Sequence, residues 1–325
     1  MVRARSTVQS CSVAQSTVTT KILYMNLESL AHRFYDHSSY IRGYSKETIR
    51  RYKQIINFYR RFADITEIEQ VTDTNVRELF IHGRTSRQWR PNTFICYHKT
   101  LMVFFRWCME NGYMQHNPIE DIEIPRLEKR LPPKLTKQEV SKLLEIVYNY
   151  PYDYTYLRYR NHAIFSTFIF AGLRRKELLS LRFTDIDFEN MTIFVNQGKG
   201  AKDRIIPMSH TLAHTLERYV EERKRLNKSC PEFFTSLNRN SGFTNSGLKN
   251  LTRKLNRDSG IKFNIHKLRH SFATLMLEGG CDIYSLSRMM GHSDIKTTTI
   301  YLAASADHLR SQITKHPLND FVLTR

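Results

Sequence analysis

The stretch HKLRHSFAT, residues 266–274, decides how this sequence is interpreted. Its pattern is typical of a helix, and side chains three residues apart lie on the same face of a helix. His266 and Arg269 are therefore expected to project together. The segment GHS then supplies His292, and the segment TTTIY ends nine residues later at Tyr301. An imidazole, a guanidinium, a second imidazole and a phenol in this order indicate a site that acts on a phosphate group.

Two segments upstream supply further parts of such a site. AGLRRKELLSL (171–181) places Arg174 and Glu177 at the start of a predicted helix. GKGAKDR (198–204) places Lys199 at the tip of a predicted hairpin. In chain order, the second half therefore offers an arginine, a carboxylate, a lysine, a histidine, a second arginine, a second histidine and a tyrosine.

Each residue type suits the breakage of a DNA strand by direct displacement at phosphorus. The transition state carries extra negative charge on its non-bridging oxygens, which guanidinium groups bind through paired hydrogen bonds while staying charged. Arg174 and Arg269 are predicted to form this clamp, and preorganised charge usually supplies the largest share of catalysis. His292 is a candidate donor to the same oxygens. Glu177 is expected to orient the site by pairing with a basic neighbour.

The nucleophile and the leaving oxygen both require proton transfer. A free tyrosine titrates near pH ~10, so Tyr301 needs a base, for which His266 is the candidate. The 5′-oxygen must gain a proton as it leaves, and Lys199 is the candidate acid. Each motif alone has an ordinary structural explanation, because the chain holds 17 tyrosines, 13 histidines and 50 basic residues. The joint order and spacing carry the prediction.

Together these residues resemble the signature of the tyrosine recombinase (phage integrase) family: Arg, a hairpin Lys, H-x-x-R, His, and Tyr nine residues later. The resemblance covers residues 135–304 in detail and extends, with less specific motifs, to the N-terminal half. It implies a site-specific recombinase in which Tyr301 attacks DNA, forms a 3′-phosphotyrosine and frees a 5′-hydroxyl. It implies no metal and no other cofactor.

The same resemblance implies an architecture and an assembly. Two domains joined by a linker are expected to form a C-shaped clamp around duplex DNA. A homotetramer on synapsed DNA is expected, in which the helix after Tyr301 packs on a neighbouring protomer; a tail that packs on its own protomer is the alternative. A paired recombinase or an accessory DNA-bending protein is a further expected partner.

The composition agrees with a nucleic-acid partner. Lys and Arg outnumber Asp and Glu by 50 to 31, a net charge of +19, and each basic group near a phosphate releases condensed counterions. Residues 1–130 hold 20 basic and 13 acidic residues (+7), and residues 131–325 hold 30 and 18 (+12). Because both halves are basic, a binding surface that spans both is favoured over a basic tail. A basic protein with no nucleic-acid role is the alternative.

The hydrophobic pattern predicts a mainly α-helical protein with a small β-hairpin or sheet in its C-terminal domain. In SKETIRRYKQIINFYRRFA, Ser45 is the predicted cap of a helix whose basic residues avoid its apolar face. That basic face is expected to contact DNA, and a solvated face is the alternative. Two strands are predicted near MTIFVN and DRIIPM. The candidate DNA-binding residues of this helix and of the hairpin are Arg50, Arg51, Lys53, Lys202 and Arg204.

A proline-rich, charged segment, NPIEDIEIPRLEKRLPPK, marks a domain boundary. Directly after it, Thr136 and Glu139 form a predicted capping box for the first helix of the second half. The predicted organisation is a disordered leader at 1–24, a helical SAM-like core-binding domain at 25–123, a linker at 124–134, and a catalytic domain with a C-terminal tail helix at 135–325.

The remaining features concern the compartment. No apolar run approaches the roughly 18 residues needed to span a membrane. The five cysteines are scattered and include no C-x-x-C pair, which argues against a disulfide framework or a zinc site. A cytoplasmic, nucleoid-associated protein is therefore expected. The acid-free, Ser/Thr-rich leader is interpreted as a flexible segment or as a misassigned start before Met25, with a transit peptide as the alternative.

Two other functions use related chemistry or a related fold. A type IB topoisomerase-like enzyme nicks and relaxes DNA through the same chemistry, but the N-terminal helical half and the tail favour recombination. A catalytically silent DNA-binding relative is disfavoured because every expected catalytic position is filled. Because only some two dozen residues precede the first predicted helix, the extra N-terminal domain of many phage integrases is expected to be absent, which favours an Xer-like or transposon-borne recombinase.

Overall fold

The computed structural model describes residues 26–127, 132–196, 203–292 and 294–302 of the chain. These residues fall into two compact units, one before and one after the segment 128–131. Helices build most of both units, and a small sheet belongs to the second. The predicted fold class, mainly α with a small sheet in the C-terminal half, is confirmed.

The first unit is built around four α-helices: α1 (Leu27–Asp36), α2 (Lys46–Phe62), α3 (Asp73–Thr85) and α4 (Pro91–Glu110). Ser45 caps α2 as predicted, because its Oγ accepts a hydrogen bond from the Thr48 amide at 3.2 Å. Ile56 and Tyr59 of the same helix are fully buried. Their side chains join the apolar faces of the other three helices in one core.

The second unit contains eight α-helices in its described residues: α5 (Lys137–Asn149), α6 (Thr155–Phe170), α7 (Arg175–Ser180), α8 (His210–Arg225), α9 (Asn245–Ser259), α10 (Ile265–Glu278), α11 (Ile283–Met290) and α12 (Lys296–Leu302). The predicted capping box begins α5: the Glu139 amide donates to Thr136 Oγ1 at 3.1 Å, and the Thr136 amide donates to Glu139 Oε2 at 2.8 Å. Helix α6 is buried along most of its length and packs against α5, α8 and α10. It forms the centre of this unit.

A three-stranded antiparallel sheet, in the order β1–β2–β3, completes the second unit: β1 (Ile186–Asp187), β2 (Thr192–Val195) and β3 (Arg204–Pro207). The sequence predicted only β2 and β3, because two residues are too few for an alternating pattern to be visible in β1. Alternation along β3 points Arg204 and Ile206 inward. The segment 197–202, which contains Lys199 and Lys202, lies outside the described residues.

Some sequence-based predictions fall on the remaining parts of the chain. The leader 1–24 and the tail after Leu302 lie outside the described residues, and the expectations about them stay predictions. Within the described part of the chain, no helix combines the length and the apolar character that a bilayer span requires. The described cysteines, Cys96, Cys108, Cys230 and Cys281, are free thiols.

Candidate active site

The C-terminal end of α11 organises the basic cluster. The last carbonyls of a helix lack partners within the helix, and this end carries a partial negative charge. Three guanidiniums donate to three successive carbonyls there: Arg204 Nε to Met289 O at 2.7 Å, Arg269 Nη2 to Met290 O at 2.5 Å, and Arg174 Nη2 to Gly291 O at 2.7 Å. The two predicted clamp residues are therefore neighbours, and a third arginine lies beside them.

Two glycines shape the backbone of this cluster. Gly291 has φ +62° and ends α11 in the left-handed conformation, which glycine adopts without steric cost. Gly172 has φ +60°, and a Cβ built there would lie 2.2 Å from the ring of Phe272. The carbonyl of Gly172 accepts a hydrogen bond from Arg269 Nη1 at 2.5 Å. Both glycines therefore help to place the arginines.

Glu177 is the anion at the centre of the cluster. Its Oε1 lies 2.8 Å from Arg174 Nη1, and its Oε2 lies 2.8 Å from Arg204 Nη2. Burial by itself raises the pKa of this carboxyl, but hydrogen bonds from Arg204 and from the Arg174 backbone outweigh burial and lower the pKa to about 2. Glu177 is therefore ionised at neutral pH. The predicted pairing of Glu177 with a basic neighbour is present, with two partners rather than one.

The two clamp arginines differ in exposure. Arg269 is only 6% exposed, and burial, reinforced by the charge of Arg174, lowers its pKa to about 10. It therefore still carries its charge at pH 7. The side chain of Arg174 is 38% exposed. This arrangement presents one guanidinium to the solvent, where a phosphate can reach it, and holds the other in place beneath it.

His292 lies between the arginines and α12. Its Nδ1 is 2.7 Å from Thr298 Oγ1, and its Nε2 is 3.3 Å from Arg269 Nη2. Burial and the charge of Arg269 lower the pKa of this imidazole to about 4, so the ring is neutral at pH 7. Because a guanidinium can only donate, Nε2 accepts in this state and Nδ1 carries the proton. The structure thus holds His292 at the clamp.

Tyr301 lies in α12 and is only 3% exposed. Its hydroxyl lies 2.8 Å from Nδ1 of His270, the residue that follows Arg269 in α10. Burial raises the pKa of Tyr301, and the charges of Arg269 and Arg174 act in the opposite direction. The predicted nucleophile is therefore packed beside the arginine cluster, with a histidine as its hydrogen-bond partner.

The structure describes only one of the two predicted proton carriers, His266. His266 is exposed on α10, one helical turn before His270, and the hydroxyl of Tyr301 is bonded to His270 instead. The role of His266 as base stays a prediction. Lys199 lies outside the described residues, and its role as acid also stays a prediction.

The candidate DNA-binding residues divide into two groups. Arg50, Arg51 and Lys53 are exposed on α2, where Arg50 pairs with Glu47 at 2.7 Å. Arg204 is different: its guanidinium is 7% exposed and is bonded to Glu177 and to the end of α11. Because β3 turns this side chain inward, Arg204 supports the site from inside rather than forming part of an open basic surface. Lys202 lies outside the described residues.

Sequence reasoning did not find His270 or the inward position of Arg204. The position of His270 directly after Arg269 in the sequence was a signal for it, but the H-x-x-R spacing favoured His266. Within the described part of the chain, no three His, Cys, Asp or Glu side chains group closely enough to hold a metal ion.

Comparisons with known proteins identify the family. The model of the phage integrase family matches residues 133–308, and the model of the phage integrase N-terminal SAM-like domain matches residues 30–115. Tyrosine recombinase XerD of Listeria monocytogenes serovar 1/2a is 35% identical over 270 residues, which cover 80% of this chain and 89% of that protein. Tyrosine recombinase XerC of Oceanobacillus iheyensis is 30% identical over 302 residues, which cover 90% of this chain and 97% of that protein.

Solved structures agree with this result at the level of the fold. The Tn1549 transposon integrase in complex with a circular intermediate DNA superposes with a TM-score of 0.71 at 18% identity, covering 90% of this chain and 100% of that one. XerH site-specific recombinase bound to a palindromic difH substrate gives a TM-score of 0.68 at 20% identity, covering 88% and 84%. The fold and the site define a tyrosine-type site-specific recombinase, an enzyme of DNA recombination. The chain belongs to the phage integrase family.

Proposed function

We propose that the protein cuts and rejoins duplex DNA through a covalent 3′-phosphotyrosine at Tyr301. The observation that carries this proposal is the convergence of Arg174, Arg269 and His292 at the end of α11, with the Tyr301 hydroxyl 2.8 Å from Nδ1 of His270, the residue next to Arg269 in α10. Paired guanidiniums bind the non-bridging oxygens of a phosphodiester, and a tyrosine beside them can attack its phosphorus.

The proposed reaction needs no energy source beyond the DNA itself. As Tyr301 Oη forms a bond to phosphorus, the bond from phosphorus to the 5′-oxygen breaks and the phenolic proton passes to a base. Lys199 gives a proton to the leaving 5′-oxygen. Arg174 and Arg269 stabilise the charge that develops on the non-bridging oxygens, and His292 donates to the same oxygens once Nε2 carries a proton. The reverse reaction with a different 5′-hydroxyl exchanges strands.

The experiment that tests this function uses nicked suicide duplexes made from the DNA that flanks the gene. Wild-type protein and Tyr301→Phe are incubated with them and separated on a denaturing gel. We expect a covalent protein–DNA band from the wild type only, while both proteins bind the DNA. A band from Tyr301→Phe would assign the nucleophile elsewhere. No wild-type band on these duplexes or on a random DNA library would refute the proposed reaction.

The domain organisation we propose is a SAM-like core-binding domain at 25–123, a linker at 124–134 and a catalytic domain at 135–325, which together clamp duplex DNA. The two compact units and the two family matches support this division. The exposed basic residues of α2 support contact between the first domain and DNA phosphates. Action on chromosomal DNA would place the enzyme at the nucleoid in the cytoplasm.

We also propose that four protomers assemble on two synapsed DNA sites, each with its C-terminal tail packed on a neighbour. The supporting observation is that related folds are found in complexes with DNA, including a lambda integrase dimer bound to a COC′ core site. Truncation after Asp307 tests the tail. We expect cleavage at single sites to persist and synapsis to be lost, and strand exchange by the truncated protein would refute the contact between protomers. A paired recombinase or a DNA-bending protein is a further proposed partner. If wild-type protein alone forms adducts without exchanging strands, addition of that partner to the same assay should restore exchange.

A further inference from the structure

His270 is next to the arginine cluster in sequence and is hydrogen-bonded to Tyr301. It follows Arg269 in α10, and successive residues of a helix point about 100° apart. Arg269 therefore faces the end of α11, while His270 faces α12 and its tyrosine. The rings of His270 and Tyr301 lie 5.6 Å apart between centroids. One turn of α10 thus supplies both a clamp guanidinium and the hydrogen-bond partner of the nucleophile.

The hydrogen bond reaches the atom that would react. Nδ1 of His270 lies 2.8 Å from Oη of Tyr301, which is the distance expected of a base within reach of the proton it removes. Tyr301 is 3% exposed, so bulk water has little access to this hydroxyl. His266, which the H-x-x-R spacing selects, is exposed one turn earlier. The histidine of the H-x-x-R motif, His266, is therefore not the one that is hydrogen-bonded to the nucleophile, which is His270.

The charged and titratable groups around His270 determine the direction of this bond. They are His266 and Arg269 on α10, Tyr301 on α12, and His292 after α11. Burial lowers the pKa of His270, and His266 and Arg269 lower it further, while burial raises the pKa of Tyr301. At pH 7 a neutral imidazole therefore faces a protonated phenol. The phenol donates, Nδ1 accepts, and Nε2 carries the imidazole proton.

We propose that His270, rather than His266, is the catalytic base that takes the hydroxyl proton of Tyr301 when the tyrosine attacks DNA. This inference rests on the proposed function. The bond between Oη and phosphorus forms while the bond from Oη to its proton breaks, and the proton moves to Nδ1. His270 is then an imidazolium. In the reverse step it returns the proton to the departing phenolate, so the enzyme ends the cycle unchanged.

The test measures single-turnover formation of the covalent adduct by the full chain on suicide duplexes, from about pH 5.5 to about pH 9. The wild-type rate should rise with pH while His270 loses its proton and should then stay level. Because the pKa of His270 lies below 6.5, the ordinary pKa of histidine, the level part should already be reached at pH 6.5. His270→Ala should lose about a hundredfold at pH 7, the usual size of a general-base contribution. Its remaining rate should rise with pH as the phenol ionises, and added imidazole should restore part of the loss.

A second variant separates a base from a positioning group. His270→Asn keeps an acceptor oxygen close to the position of Nδ1 but cannot take the proton, so it should be as slow as His270→Ala. A wild-type rate and pH profile in His270→Asn would overturn the proposal and leave His270 a positioning residue. Thermal melting and DNA affinity, measured for each variant, show whether a slow variant is folded and bound.

Two further variants complete the comparison. His162→Gln removes another histidine of the same unit whose pKa is lowered by burial, and it should keep the wild-type rate and profile. His266→Gln should keep the shape of the wild-type pH profile whatever its rate. If the rate of His266→Gln instead rose steadily with pH and did not level off, the base would be assigned to His266. An adduct from Tyr301→Phe would refute the proposed nucleophile. An unchanged rate in His270→Ala would refute only the proposed base.

Discussion

Arg204 and Glu177 form a two-pronged ion pair inside the second unit. Nη1 of Arg204 lies 3.1 Å from Oε1 of Glu177, and Nη2 lies 2.8 Å from Oε2. The two side chains are only 7% and 8% exposed. Arg174 donates to the same carboxylate at 2.8 Å. One buried anion therefore ties β3, the second strand of the predicted hairpin, to the clamp arginine before α7.

Arg204→Lys tests this connection. A lysine cannot form the two-pronged pair and also reach the Met289 carbonyl, so Arg174 loses its fixed position. We expect adduct formation to slow about tenfold or more, with a stability loss of about 1–3 kcal/mol for the unpaired carbonyl. DNA affinity should change little, because Arg204 is buried.

The control for this variant is Arg225→Lys, which alters an ion pair with Glu222 in which the arginine is 71% exposed. Exposed pairs contribute about 0–1 kcal/mol, so both rate and stability should match the wild type. An Arg204→Lys enzyme as fast as this control would show that the buried pair does not position Arg174.

Glu177→Gln should reveal the pH dependence of stability. The pKa of Glu177 falls from 4.5 to about 2 on folding, so its contribution is fully present above pH 4.5 and is lost as the pH falls towards 2. We expect the variant to be less stable by about 3 kcal/mol at pH 7 and the difference to shrink in acid. Urea unfolding at a series of pH values measures it. A difference that stays constant down to acid pH would contradict the ion-pair explanation.

Arg174→Ala and Arg269→Ala should both slow cleavage by orders of magnitude, yet differ in stability. Arg269 is buried and donates to the carbonyls of Gly172 and Met290, and each unpaired buried carbonyl costs about 1–3 kcal/mol. Arg174 is more exposed, so its removal should cost less. Thermal melting and gel-shift titration distinguish the two effects. DNA affinity should persist in both variants, and its loss in Arg174→Ala would mean that this residue binds DNA rather than acting mainly in the transition state.

Lys199→Ala should slow the departure of the 5′-oxygen, because Lys199 is the group proposed to protonate it. A substrate with a 5′-bridging phosphorothioate needs no proton on its leaving group and should restore the rate of the variant. The comparison is made by single-turnover cleavage of both substrates by both proteins. Equal defects on the two substrates would remove Lys199 from the role of acid.

Arg51→Ala should weaken DNA binding without altering the chemistry of the bound complex. Arg51 is exposed on α2, and the loss of one phosphate contact reduces the slope of log affinity against log salt by about 1. Affinity measured at several salt concentrations tests this expectation. An unchanged slope would place the basic face of α2 away from DNA.

Some parts of the fold and site were predictable because their signals are local. The cap at Ser45, the capping box of Thr136 and Glu139, and the two longer strands follow from patterns within a few residues. The pairing of Glu177 with a basic neighbour was also predicted, but the sequence did not name its partners, which are Arg174 and Arg204. The strand β1 was missed because two residues carry no periodic pattern.

The sequence by itself determined the residue types of the site and their order: an arginine, a lysine, a histidine, a second arginine, a second histidine and a tyrosine at the spacing of the family. Only the tertiary structure decided which of them touch. It turned Arg204 inward onto Glu177, placed three guanidiniums on the end of α11, and put His270 rather than His266 on Tyr301. Spacing along the chain specifies neighbours within one helix, whereas contacts between α10, α11, α12 and β3 depend on how those elements pack against one another.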